Sequence, residues 1–256
     1  LVAEDNETNQ IVIRQMLSKM GFACEVAENG RIALEQFDRS AHGLLLTDFN
    51  MPEMDGFELA RRIRETESTD GPRLPIVALT ADAIAGTEEA CLEAGMDAYL
   101  TKPIDSHKLG QALARYLPGG LDLRRAANQE PVSEPPASPA YDWDPDIFDP
   151  NTLGAAFGGL DQEAKDLITS ASAAWVEKVA AINAALALED SKAARDVAHA
   201  LKGAALSVGA NRLGGIASDI QDFLDADDLD MAKIMAEVLE PTLEEFQETL
   251  PKIMQV

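Results

Sequence analysis

Gly43-Leu44-Leu45-Leu46-Thr47-Asp48-Phe49 runs apolar until its end and then presents a carboxylate. A run of this length without polar alternation fits a central strand covered on both faces, as in a parallel sheet. The flanking sequence agrees. Leu1–Ala3, Ala23–Ala27, Ile76–Thr80 and Ala98–Thr101 read as further strands. Helical periodicity falls between them at Thr8–Met20, Gly30–Arg39, Phe57–Thr66, Gly86–Ala94 and Ser106–Tyr116. Gly21 and Gly95 are placed to stop two of these helices. Five strands alternating with five helices predict an α/β domain over residues 1–118, with helices on both faces of a parallel sheet.

The texture then changes twice. Residues 119–145 lack periodicity and contain Pro131, Pro135, Pro136 and Pro139 among Ser and Ala, as a linker extended by its prolines would. Residues 146–256 are rich in Ala and show no convincing strand. Long helices are predicted over Asp161–Leu188, Ser191–Val208, Arg212–Asp222 and Leu229–Thr249. Four helices with short connections predict an all-α antiparallel four-helix bundle.

The chain carries a formal net charge of -24 at pH 7 and only 5% aromatic residues. Acids exceed bases in each region: 20 against 11 in 1–118, 5 against 2 in 119–145, and 20 against 8 in 146–256. A negative field of that breadth opposes nucleic-acid phosphates and anionic lipid surfaces, so no direct nucleic-acid partner is expected. Two isolated cysteines, Cys24 and Cys91, have no metal-type spacing and fit a reducing compartment. No stretch approaches the length of a membrane span, and no charged-then-apolar leader opens the chain. The chain opens on Leu1 without an initiating Met. It therefore reads as a piece of something longer, with membrane attachment expected only through a region upstream.

Polar residues in the α/β half fall at one edge. Glu4, Asp5, Asp48, Thr80 and Lys102 all lie at or just beyond the C-terminal ends of predicted strands, where ligands bind in open α/β sheets. Clustered carboxylates repel and call for a cation, and oxygen-only ligands favour a hard ion such as Mg²⁺. Lys102 suits a phosphoryl oxygen, Thr80 adds a hydroxyl, and a carboxylate can itself act as nucleophile to give an acyl phosphate. The alternative is that these acids are solvated loop residues, gathered only by the assumed topology.

Several stretches now carry a resemblance: Ala3-Glu4-Asp5-Asn6, Leu46-Thr47-Asp48-Phe49-Asn50-Met51-Pro52-Glu53-Met54-Asp55-Gly56, Ala78-Leu79-Thr80-Ala81 and Tyr99-Leu100-Thr101-Lys102-Pro103. Residues 1–118 resemble the receiver domain of bacterial two-component systems. The resemblance implies a flavodoxin-like sheet of order 2-1-3-4-5, with Asp48 as phosphoacceptor. It implies Mg²⁺ held by Glu4, Asp5, Asp48 and the backbone carbonyl of Asn50. Thr80 and Lys102 would contact the phosphoryl group, Tyr99 would reorient with Thr80, and the Lys102–Pro103 bond would be cis. Glu4-Asp5 stands where the commoner pair is Asp-Asp.

Of three histidines, His42 and His107 read as surface residues. His199 sits in Asp196-Val197-Ala198-His199-Ala200-Leu201-Lys202-Gly203-Ala204-Ala205, where Lys202 and Gly203 share its helical face. A mid-helix Gly costs about 1 kcal/mol relative to Ala and asks for a reason; here it would admit a partner's active site beside the imidazole. On local chemistry alone a satisfied surface histidine remains the alternative. The stretch resembles the histidine-phosphotransfer domain, followed by Gly209-Ala210-Asn211-Arg212-Leu213. By that resemblance His199 exchanges phosphoryl groups with receiver aspartates, supported by Lys202 and Gly203.

The two resemblances together imply phosphorelay signal transduction, as in the C-terminal part of a hybrid sensor histidine kinase. The expected partners are a sensor histidine kinase, or a kinase core missing from this chain, and a downstream response regulator, in the bacterial cytoplasm. No Gly-rich ATP motif or kinase helix is found. A docking module that passes no phosphoryl group onward is the alternative, and the lack of a basic helix-turn-helix argues against a DNA-binding regulator. In the first helix Ile13, Met16 and Met20 make the expected inner stripe, with Val12 outward, either contributing to a docking patch or standing as an ordinary isolated surface apolar residue.

Overall fold

The central strand forms over Leu45–Asp48 (β3) in the computed structural model, whose described residues are 1–67, 71–80, 87–117 and 141–256. Around it lie Val2–Ala3 (β1), Val26–Ala27 (β2), Ile76–Thr80 (β4) and Ala98–Thr101 (β5). All pair in parallel in the order β2-β1-β3-β4-β5. Every residue of β3 and β4 is buried, as a strand covered on both faces requires. The order reverses between β1 and β3, which leaves a crevice at the C-terminal ends of those two strands.

The helices of this sheet are Glu7–Lys19 (α1), Gly30–Gln36 (α2), Gly56–Thr66 (α3), Thr87–Glu93 (α4) and Ser106–Tyr116 (α5). Side-chain caps start four of them: Asn6 accepts from Thr8 and Asn9, Asn29 from Ile32, Asp55 from Glu58, and Asp105 from Lys108. In α1 the buried face is Asn9, Val12, Ile13, Met16 and Leu17. Val12 is therefore not the outward residue expected; Ile11 is, because 100° per residue turns it away once Ile13 and Met16 define the inner stripe. Met20 ends the helix as its C-cap and is only half-buried. His42 also departs from the surface reading. Its side chain stacks near Phe37, its Nδ1 accepts from the Asp38 amide, and its Nε2 lies 3.6 Å from Glu25 Oε2.

The chain divides into two compact units, Leu1–Ala137 and Ser138–Val256. Most of the Pro-rich segment read as a linker lies outside the described residues, and its end, 141–145, packs onto the helical unit. That unit contains Asn151–Phe157 (α6), Gln162–Ala187 (α7), Ser191–Val208 (α8), Asn211–Asp225 (α9), Leu229–Ala236 (α10) and Leu239–Ile253 (α11). Asp161, Asp190 and Asp228 cap α7, α8 and α10 through the amides of Ala164, Ala193 and Met231. The single fourth helix expected over 229–249 is broken at Glu237–Val238. Pro241 has no N–H to give the Glu237 carbonyl, and its ring would clash with that oxygen in a continuous helix. The short α6 was not legible as a helix.

Packing in this unit is close. A Cβ on Gly214 of α9 would lie 2.6 Å from the Leu206 side chain of α8, so the glycine sets how near the two helices approach. Gly209 ends α8 with φ +93°, and a Cβ there would come 2.2 Å from the Asp149 carbonyl. The Asp149 amide in turn donates to the Gly209 carbonyl at 2.8 Å. Five aromatic residues of this unit form a connected cluster. Tyr141 stacks on Trp143, Trp143 tilts against Phe148, and Phe148 and Trp175 both meet Phe246 edge-on. Arg212 fastens residues 141–149, the strap that enters the bundle, by binding Asp144, Asp146 and Glu245.

Phe246 is fully buried between two rings, so Phe246→Ala is expected to lower the stability of the helical unit by about 3–5 kcal/mol. Both tryptophans, Trp143 and Trp175, lie in that unit. Urea unfolding followed by tryptophan fluorescence reads the change there alone.

Candidate functional site

β1, β3, β4 and β5 deliver their final residues to one edge. Glu4 and Asp5 follow β1, Asp48 ends β3, Thr80 ends β4 and Lys102 follows β5. The register sets these positions, with Asp48 opposite Leu79 and Thr80 opposite Thr101. Glu4, Asp48, Thr80 and Lys102 are buried, Asp5 is exposed, and the Lys102–Pro103 bond is cis.

Lys102 Nζ donates to Glu4 Oε2 at 2.7 Å and to Asp48 Oδ2 at 2.6 Å. Burial works against the ammonium, but the two carboxylates outweigh it and hold the lysine above its ordinary pKa. Burial pushes the Glu4 carboxyl up to about 7; Lys102 pulls it down, and the like charge of Asp48 adds to the rise. The counter-charge that three acids demand is thus supplied in part by the protein itself. One carboxylate oxygen from each of Glu4, Asp5 and Asp48 lies within 4.8 Å of the others. The donors are all oxygen, and exposed Asp5 opens the group to water. This set fits a hard divalent ion that keeps several waters.

Other residues hold the site in place that the sequence did not announce. Asn9 Nδ2 donates to Glu4 Oε1 at 2.8 Å, and Gln10 Nε2 donates to the Glu4 carbonyl at 2.7 Å. Thr47 Oγ1 donates to the Asp48 carbonyl at 3.0 Å. A Cβ on Gly56 would sit 2.1 Å from that carbonyl, so only glycine lets α3 begin against the end of β3. Asn50 is exposed in the intervening loop. Glu53 there has φ +64° and is tied to Arg31 and Asn29. Tyr99 is half-buried on β5, packed against the core around β3 and β4.

In the helical unit His199 lies partly exposed on α8. Its Nδ1 is 3.2 Å from Gln221 Oε1 of α9, and Gln221 is buried. Gln221 was not anticipated, because a glutamine 22 residues away on another helix has no local signature. Lys202 and Gly203 are buried rather than displayed. Burial of Lys202 follows from its place on the face that α8 turns toward the bundle, together with Leu201 and Ala205.

Comparisons with known proteins agree with this division. The family model described as the response regulator receiver domain matches residues 1–114, and that described as the Hpt domain matches 166–251. Sensor histidine kinase RcsC of Salmonella typhi is 40% identical over 116 residues, covering 45% of this chain and 12% of its own length. Sensor histidine kinase GacS of Pseudomonas protegens is 35% identical over 216 residues, covering 83% of this chain and 23% of its own length. The chain therefore spans less than a quarter of either relative. A solved receiver domain of sensor histidine kinase PA1611 from Pseudomonas aeruginosa PAO1, described with a magnesium ion in its active-site cleft, is 38% identical. It covers 45% of this chain and 93% of its own, with a TM-score of 0.41.

Lys102 is the partner of two buried carboxylates, so Lys102→Ala leaves both uncompensated. A loss of about 3–5 kcal/mol is expected in the α/β unit without divalent ions, read by far-UV circular dichroism during urea unfolding. Added Mg²⁺ is expected to recover part of that loss.

Proposed function

This chain joins a response regulator receiver domain to an Hpt domain, the components of phosphorelay signal transduction, and on that premise we propose Asp48 and His199 as its two phosphoryl carriers. We read residues 1–118 as the receiver, 119–145 as the connection and 146–256 as the transfer domain. The observation that carries the proposal is the Asp48 carboxylate, buried at the sheet edge and held by Lys102 within reach of Glu4 and Asp5.

In the receiver, an Asp48 oxygen attacks the phosphorus of a phosphohistidine. The P–O bond forms as the P–N bond breaks, and the departing electron pair returns to the imidazole nitrogen. Lys102 is the cation positioned for the phosphoryl oxygens, and Thr80 brings a hydroxyl to the same strand ends. Glu4, Asp5, Asp48 and the Asn50 carbonyl would hold Mg²⁺. When bound, that ion supplies positive charge against the phosphoryl oxygens. Tyr99, beside this edge on β5, is the residue that would respond to occupancy of Thr80.

In the Hpt domain, His199 takes the phosphoryl group from a receiver aspartate and passes it on. Gln221 orients the imidazole through Nδ1, and Lys202 and Gly203 shape its helical face. The partners proposed are a histidine kinase supplying the receiver and a response regulator receiving from His199. None of the helices among the described residues is long and apolar enough to cross a membrane.

Labelling the chain with acetyl phosphate, and separately with a cognate kinase, tests both carriers. Asp48→Asn is expected to abolish a Mg²⁺-dependent, hydroxylamine-sensitive acyl phosphate, and His199→Gln to abolish a distinct acid-labile phosphohistidine. Labelling unchanged by both substitutions would sink the proposal. Partner binding that persists in both variants, with no label in the wild type, would instead mark a docking module.

A further inference from the structure

Behind His199 runs a chain of polar contacts that the proposed function does not by itself require. Gln221 Oε1 faces His199 Nδ1, and Gln221 Nε2 donates to Asp225 Oδ2 at 3.4 Å. Asp225 is gripped by Arg195, which binds Oδ1 through Nε and Oδ2 through Nη2. Arg195 and His199 lie one turn apart on α8, and Gln221 and Asp225 one turn apart on α9. The four residues thus form a two-by-two block across one helix pair.

A carboxamide has a donating end and an accepting end, and the two look alike in shape. Asp225, as a carboxylate, only accepts. It therefore selects the orientation in which the amide nitrogen of Gln221 points toward it and the oxygen points toward the imidazole. The reversed amide would set Gln221 Oε1 against the Asp225 carboxylate. An amide oxygen can only accept, so Nδ1 of His199 must carry the hydrogen. A neutral imidazole has one N–H, so the lone pair is then on Nε2.

From this geometry we infer that Asp225, locked by Arg195, is a positioning residue that holds the Gln221 carboxamide in the orientation that keeps the His199 hydrogen on Nδ1. The inference rests on the reading that His199 accepts a phosphoryl group. In the transfer, the Nε2 lone pair forms the N–P bond while the bond from phosphorus to the aspartyl oxygen breaks, its electron pair staying on that carboxylate. The Nδ1 proton does not move. The ring gains positive charge as the bond forms, so the contact to Gln221 Oε1, backed by the Asp225 carboxylate, strengthens along the reaction.

The tautomer is read directly from the imidazole ¹⁵N shifts of His199 in the full chain, above the pH at which the ring protonates. Wild type is expected to be mainly Nδ1–H. Asp225→Ala is expected to lower the Nδ1–H to Nε2–H ratio by about fivefold, the change in equilibrium that one hydrogen bond supplies. Arg195→Ala should shift the ratio in the same direction by less. Both side chains are more than a third exposed (43% for Asp225 and 35% for Arg195), and retention of helical circular dichroism is checked for each. If Asp225→Ala does not fold, Arg195→Ala decides. A wild-type ring found mainly as Nε2–H, or a ratio unmoved in the folded variants, overturns the inference. Phosphorylation of His199 is scored separately by acid-labile label. Label without a tautomer response removes only this inference; a tautomer response without label removes the transfer reading and leaves the positioning geometry standing.

Discussion

The α/β unit depends on one ammonium group. Lys102 brings a positive charge into the end of a parallel sheet, where Glu4 and Asp48 would otherwise be buried side by side without compensation. Such a pair of carboxylates is tolerable only with a counter-charge at hydrogen-bond distance. The surrounding structure is arranged to keep that distance. β5 ends where the lysine must emerge, Asn9 and Gln10 steady Glu4, and Gly56 lets α3 close against the carbonyl of Asp48. The same carboxylates that make the site costly to bury form an all-oxygen group that could hold a metal ion.

The helical unit solves a different problem. Its reactive candidate is a partly exposed imidazole, which needs orientation more than compensation. Orientation comes from the neighbouring helix, and Gly214 against Leu206 is what lets that helix approach closely. A bulkier residue at that point would push α9 away and draw Gln221 from His199. Helix packing therefore sets the surroundings of the imidazole, one step removed from the ring.

Much of this was legible in the sequence, and the rest was not for identifiable reasons. Strands β4 and β5 and helices α5 and α8 could be bounded because buried apolar runs and helical periodicity end sharply at Thr80, Thr101, Tyr116 and Val208. The sheet-edge residues followed from the topology. Gln221, Asn9 and Arg212 were invisible because their roles depend on tertiary approach rather than on spacing. The break before Pro241 is encoded locally, in a proline whose missing N–H is masked by an otherwise periodic stretch. In α1 three adjacent apolar residues leave the phase of the helix ambiguous by one position, and only the packed helix shows that Ile11 rather than Val12 faces outward. The acidity has a partly local meaning: Asp55, Asp105, Asp161, Asp190 and Asp228 each cap a helix start.

The strap at 141–149 has a consequence for synthesis. Its anchors come much later in the chain: Arg212 lies 66 residues beyond Asp146, and Lys252 lies 110 beyond Asp142. As the polypeptide leaves the ribosome, Phe148 emerges long before Phe246, the ring that meets it edge-on. Such distant closures are slow to form and leave apolar groups uncovered meanwhile. The helical unit can reach its finished state only when its last helix is out, so a chain stopped before α11 would carry bare aromatic rings and draw the attention of chaperones.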